Sequence, residues 1–226
     1  GVLALPSWFG AWGPIALDDQ DPNDVDRLLA RGCVGVCLPA GALAGPGALA
    51  LSAPLLERIE ARGAPVFVHP GPAPGLRAAE ASLSEPLWWR SLTDYVAQMQ
   101  AAWLTFATLG RREHPRLRVV FAMLAGGAPL LSERLSARGG PHCDLRDPLV
   151  YYDTSSYGPA AVEAMARRVG GEQLVYGSDR PVVEPMPTGR EALLAENGVQ
   201  LLERTGAIRA IRTARSVRAV RTGVAL

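Results

Sequence analysis

Short apolar runs rich in Val alternate along this chain with longer segments whose apolar positions recur at helical spacing. That rhythm predicts a parallel sheet covered by helices, because strands buried on both faces read as continuous apolar runs rather than alternating ones. Six strands are expected, over residues 2–5, 33–38, 65–69, 118–124, 149–154 and 174–178. A helix is expected in each gap. Asp21-Pro22-Asn23-Asp24 predicts a capped helix running to Arg31 and stopped by Gly32, and Ser52-Ala53-Pro54 predicts the start of a second that ends near Gly63. The long gap 82–112 holds Trp88, Trp89, Tyr95, Trp103 and Phe106 and predicts a covering loop followed by a helix. Further helices fit 129–138, 159–169 and 189–204.

The repeated strand–helix order carries no Gly-rich dinucleotide fingerprint after any strand, which favours a (β/α) barrel over a Rossmann sheet. Six strands do not close such a barrel, and a complete eight-stranded one takes about 250 residues. The expectation is therefore an α/β fold, a (β/α)8 TIM barrel whose first two strands are missing from this sequence, in one domain over residues 1–226. The chain opens at Gly1 and enters an apolar run at once, as a fragment or a processed chain would.

Composition narrows the chemistry. Twenty-three basic against 22 acidic residues leave a net charge of +1, so no overall field recruits nucleic acid or an anionic membrane. All the basic residues are Arg, which excludes lysine Schiff-base chemistry and a P-loop lysine. Three cysteines, Cys33, Cys37 and Cys143, form no CxxC pair and predict buried thiols in a reducing cytoplasm. No apolar run reaches the length of a membrane span. Arg209, Arg212, Arg215, Arg218 and Arg221 recur every three residues, but Ile208, Ile211, Val217 and Val220 make an opposing apolar face, so the stripe reads as solvated rather than nucleic-acid binding.

In a parallel barrel the reacting groups project from the C-terminal ends of the strands. Three expected strands place polar residues there: His69 ends VFVH, Asp153 ends VYYD, and Asp179 follows VYGS. His69, turned out at once by Pro70-Gly71-Pro72, reads as a metal ligand, a catalytic base or a hydrogen-bonded strand-end residue. Asp179, in Tyr176-Gly177-Ser178-Asp179-Arg180-Pro181, reads as a cap, a partner of Arg180, or a carboxylate that ligates a metal and accepts a proton from its water. Asp153, before Thr154-Ser155-Ser156, reads chiefly as a hydrogen-bonded loop former. His114 precedes a strand and is expected on the surface at the opposite end, while His142 lies in a connection that could fold over the mouth.

The order VFVHPGP, HPRLRVVFAMLAGGAP, VYYDTSSYG and GGEQLVYGSDRP resembles the amidohydrolase-related metal-dependent barrels that include aminocarboxymuconate-semialdehyde decarboxylase and the resorcylate-type decarboxylases. The resemblance runs from about Gly1 to Arg218 and equates the six strands with family strands three to eight. It implies that His69 and Asp179 are metal ligands, with the His-x-His or Glu-x-His pair of the family's first strand absent from this sequence. Where the family usually reads Ala-His-x-Gly-Gly, this chain reads Ala122-Met123-Leu124-Ala125-Gly126-Gly127, so a thioether replaces a proton-transferring imidazole.

The function implied is that of a metal-dependent hydrolase or non-oxidative decarboxylase acting on a small carboxylated or cyclic substrate. A divalent metal, Zn²⁺ in the simplest case, would be held by His69 and Asp179. Arg180 would pair with a substrate carboxylate, and Trp88 and Trp89 would wall a planar substrate. The partner expected is a small molecule, with neither nucleic acid nor membrane, and the assembly considered is a homodimer. The alternative is a barrel without catalysis that serves as a binding or regulatory subunit.

Overall fold

A computed structural model describes residues 10–73, 85–86 and 88–203. Six parallel strands pair in sequence order: β1 (Trp12–Pro14), β2 (Gly35–Pro39), β3 (Pro65–His69), β4 (Arg118–Phe121), β5 (Val150–Asp153) and β6 (Leu174–Val175). Between them lie α1 (Asn23–Ala30), α2 (Pro46–Ala61), α3 (Asp94–Thr105), α4 (Ser132–Ala137) and α5 (Pro159–Val169), and α6 (Glu191–Glu203) follows β6. Sequential parallel pairing with a helix in every crossover is the arc of a (β/α) barrel.

Both faces of the sheet are covered. Val36, Leu38, Val66, Val68, Val119, Phe121, Tyr152 and Leu174 join the helices in the main core, whereas Trp12, Phe67, Val120, Tyr151 and Val175 cluster on the other face. Register explains the division, since Phe67 pairs with Val120 and Val120 with Tyr151, so the three share one side of the pleat. His69 and Asp153 lie two positions beyond Phe67 and Tyr151 and therefore fall on that same inner face. Side-chain alternation alone aims both into the mouth.

Several boundaries differ from the pattern-based expectation. The expected strand over 2–5 lies outside the described residues, and the first strand is instead Trp12–Pro14, defined by its pairing with Gly35, Val36 and Cys37. Helix α2 begins at Pro46 rather than at Ser52-Ala53-Pro54. Gly45 releases the chain and Pro46 opens the first turn, while Pro54 is carried inside the helix and Ser52 donates its hydroxyl to the Ala42 carbonyl at 3.1 Å. Strand β4 stops at Phe121, because Met123, Leu124, Ala125, Gly126 and Gly127 have φ of 54°, 49°, 54°, 60° and 75° and wind left-handed out of the sheet. Gly126 is required twice over, since a Cβ there would also meet the Val96 carbonyl oxygen of α3 at 2.7 Å.

His114 corrects the surface expectation. It is 1% exposed, its N–H donates to the Gly110 carbonyl at 2.8 Å, and Arg111 donates to its carbonyl at 2.9 Å. A π-turn over Phe106–Gly110 extends α3 and tucks the imidazole under the chain. The three cysteines are free and half-buried. The arginine stripe from 209 to 221 lies outside the described residues. Among the described residues no helix is long and apolar enough to cross a membrane.

Candidate active site

His69 is exposed at the end of β3. Its Nδ1 lies 3.0 Å from the Pro70 carbonyl oxygen. A carbonyl only accepts, so Nδ1 carries a proton and donates it there, and Nε2 makes no hydrogen bond among the described residues. A ring fixed through one nitrogen and open at the other is the usual condition of a metal-ligating histidine. The following loop is tied down by Gly71, whose N–H donates to Gln98 Oε1 of α3 at 2.8 Å.

Asp179 is half-buried four residues beyond the end of β6, in left-handed backbone at φ 54°. Its Oδ2 accepts the Ser156 hydroxyl at 2.6 Å. Its backbone oxygen accepts from Val182 N–H at 2.9 Å, which closes the turn after β6. Asp179 Oδ1 has no hydrogen bond among the described residues.

Asp153 ties the two neighbouring strand exits together. It is 8% exposed, and its Oδ1 accepts from the Ser155 N–H at 2.9 Å and from the Met123 N–H at 3.2 Å, while its Oδ2 accepts the Ser155 hydroxyl at 2.9 Å. Burial raises its pKa above the ordinary carboxylate range, the Ser155 and Met123 bonds pull it back, and the nearby Asp179 charge adds to the rise. The loop-forming role expected of Asp153 is the one it has. Gly177 passes so close that a Cβ would collide with the Asp153 carboxylate and the Ser155 hydroxyl.

The remaining candidates are distributed unevenly. Trp88 and Trp89 are 56% and 44% exposed, with ring centroids 5.7 Å apart, in the segment that leads into α3. Helix α3 joins that segment to the mouth, since Gln98 holds the loop after His69 and Gln100 donates to the Gly126 carbonyl at 2.9 Å. Arg180 is exposed and paired with Glu184 at 2.5 Å. His142 is exposed in the connection from α4 to β5, which feeds the N-terminal end of the strand. That places it at the end of the sheet opposite the mouth and removes it from the site.

His69 and Asp179 thus share the C-terminal rim of one sheet, each with one donor atom engaged and one available. Their chemistry suits a divalent cation, one imidazole nitrogen and one carboxylate oxygen. A catalytic centre uses about three protein ligands, and among the described residues no three His, Cys, Asp or Glu side chains gather. The donor set present here is compatible with a metal and partial.

The amidohydrolase family model matches residues 10–204. The chain belongs to the amidohydrolase family. Solved structures with the same fold include 5-carboxyvanillate decarboxylase from Sphingomonas paucimobilis, at TM-score 0.66 and 18% identity over 89% of this chain and 69% of that one. The 2,6-dihydroxybenzoate decarboxylase from Rhizobium matches at TM-score 0.63 and 13% identity, over 89% of this chain and 76% of the other. A 5-carboxyvanillate decarboxylase from Novosphingobium aromaticivorans, complexed with manganese and 4-hydroxy-3-methoxy-5-nitrobenzoic acid, matches at TM-score 0.70 and 15% identity, over 88% of this chain and 66% of its own. The amidohydrolase chain described here therefore spans about two thirds to three quarters of the length of these structures. At these identities the likeness establishes the TIM-barrel fold. No curated protein matches the sequence.

Sequence reasoning named His69 and Asp179 but not Ser156, Gln98 or Gln100. The signal for the glutamines was present: residues 98 and 100 stand in a helix that must pass the mouth. For Ser156 there was none, because its contact depends on left-handed backbone on both sides of the bond.

Proposed function

We propose that this amidohydrolase-family chain is a metal-dependent non-oxidative decarboxylase acting on a small, planar, carboxylated substrate, with hydrolysis as the other reaction the same groups support. The observation that carries the reading is the pair His69 and Asp179 on one barrel rim, each with one donor atom that makes no hydrogen bond among the described residues. The three structures compared above, all decarboxylases of carboxylated phenols by name, support the substrate class and favour an enzyme over a binding subunit.

His69 Nε2 and Asp179 Oδ1 would hold the cation. When bound, it would supply the positive charge that orients an anionic substrate. Zinc is our choice; manganese, found in three related structures, suits the same donors. Trp88 and Trp89 would lie against the planar substrate, and Arg180 would exchange Glu184 for the substrate carboxylate. Decarboxylation needs a proton at the carbon that loses CO₂. Met123 has none to give, and water would deliver it. In hydrolysis Asp179 would accept the proton of the attacking water. We place the protein in the cytoplasm on its free thiols, and a homodimer is the assembly a light-scattering mass would check.

The experiment is CO₂ release from a panel of hydroxylated benzoates with Zn²⁺ or Mn²⁺ supplied. Metal-dependent release that disappears in His69→Ala is expected. Absence of turnover on every substrate, with metal demonstrably bound, would leave a binding protein instead.

A further inference from the structure

The exit of β5 carries a hydroxyl that the reading above does not use. Ser156 is exposed, and its backbone is left-handed at φ 65°. Its hydroxyl donates to Asp179 Oδ2 at 2.6 Å, and Asp179 is itself left-handed at φ 54°. Both partners are non-glycine residues in a strained region of backbone, held against each other by this one hydrogen bond. Its length is that of a charge-assisted contact, which fixes geometry as well as energy.

The platform beneath it is stiff. Ser155 is bonded twice to Asp153, the Tyr157 N–H donates to the Thr154 carbonyl at 3.1 Å, and the Gly177 N–H donates to Thr154 Oγ1 at 3.3 Å. Ser156 is thus mounted on a loop with few alternatives, while the carboxylate of half-exposed Asp179 would otherwise rotate.

We propose that Ser156 is a positioning residue for Asp179: by occupying Oδ2 it sets the carboxylate plane and presents Oδ1 to the mouth. This rests on the reading of Asp179 as a cation ligand. The amino-acid choice fits, because glycine would adopt the same backbone without strain but would supply no donor.

Two variants separate orientation from backbone strain. Ser156→Ala removes the hydroxyl and keeps the strain; Ser156→Gly removes both. In the metal-free chain, the Asp179 carboxylate ¹³C resonance, assigned through its loss in Asp179→Ala, is expected to move in both variants. An unmoved resonance would overturn the proposal. Mn²⁺ titration followed by electron paramagnetic resonance should show both variants binding roughly 10-fold more weakly, the usual scale for a group behind a metal ligand. Ser156→Gly should melt no lower than the parent chain. Equal Mn²⁺ affinity, or weakening that merely tracks a lower melting temperature, would also overturn it. Should Asp179→Ala leave Mn²⁺ affinity unchanged, the ligand reading fails by itself, and the carboxylate resonance still decides whether Ser156 sets its orientation.

Discussion

The two ends of the sheet solve the same backbone problem with different residues. At the N-terminal end, where helices turn back into strands, left-handed positions are filled by Gly32, Gly63, Gly139 and Gly170. At the C-terminal end Gly126, Gly127 and Gly189 are joined by Met123, Leu124, Ala125, Ser156 and Asp179 at positive φ, and among the described residues every non-glycine residue with positive φ lies at the exits of β4, β5 and β6. Glycine makes such turns without a Cβ clash; the other residues make them at a cost that the surrounding structure must enforce. Asp153 and Ser156 are the visible enforcers, bonded to Met123 and Asp179. The contrast locates the segment built for geometry rather than for stability, and it is the segment that carries Asp179.

The largest test of that contrast is Gly177→Ala. Its Cβ would enter the space of the Asp153 carboxylate and the Ser155 hydroxyl, and a loss of about 2–3 kcal/mol is expected in chemical denaturation, in the range of overpacking a filled site. A neutral result would mean that the rim is loose. Next comes Arg111→Ala at the opposite end. There the guanidinium pairs with Asp147 at 2.5 Å, lies 5.0 Å from the Phe106 ring centroid and donates to the carbonyls of His114 and Leu117. About 1–3 kcal/mol should be lost by denaturant titration, as for hydrogen bonds of a charged group, with Mn²⁺ affinity unchanged.

A pair of opposite substitutions sharpens the comparison further. Ala125→Gly at φ 54° relieves strain but deletes a methyl buried in the core, so it should be neutral to within about 0.5 kcal/mol, whereas Gly139→Ala at φ 74°, where a Cβ would meet nothing within 4 Å, should destabilise by about 0.5–1 kcal/mol. A lower denaturation midpoint for Gly139→Ala alone confirms the asymmetry; equal losses break it. The smallest effect is expected from Asp153→Asn. Burial raises the folded-state pKa of Asp153, so the fold binds its proton more tightly than the unfolded chain does. The resulting stability is present at low pH and is lost as pH rises through the raised pKa. The parent should lose stability relative to Asp153→Asn as pH rises above about 4, the ordinary carboxylate value, read as the difference between two melting-temperature profiles. A difference of the opposite slope would reject the burial argument.

Much of the scaffold was legible in the chain because it depends on local patterns. Strand β3 and helix α5 have the expected bounds, since an apolar run closed by His69-Pro70-Gly71 and a Gly158-Pro159 start each carry their own stop or start. The pairing of Trp12–Pro14 was not legible: a strand containing Gly13 and Pro14 has no strand pattern and exists through its neighbour. Strand β4 is shorter than its apolar run, because Met123 to Ala125 leave the sheet in a conformation that their side chains do not favour. Burial of His114 depends on a π-turn that no helical period announces. For the site, strand-end position was enough to single out His69 and Asp179, whereas Ser156 and the glutamines of α3 emerge only from contacts between segments far apart in sequence.

The most direct test of the central assignment is the metal content of the purified protein and of His69→Ala and Asp179→Ala, measured by inductively coupled plasma mass spectrometry after equilibration with Zn²⁺ and Mn²⁺. Near-stoichiometric metal in the parent, lost in both variants while their melting temperatures hold, is the result predicted. Metal retained in both variants, or none in the parent under any loading condition, would contradict it.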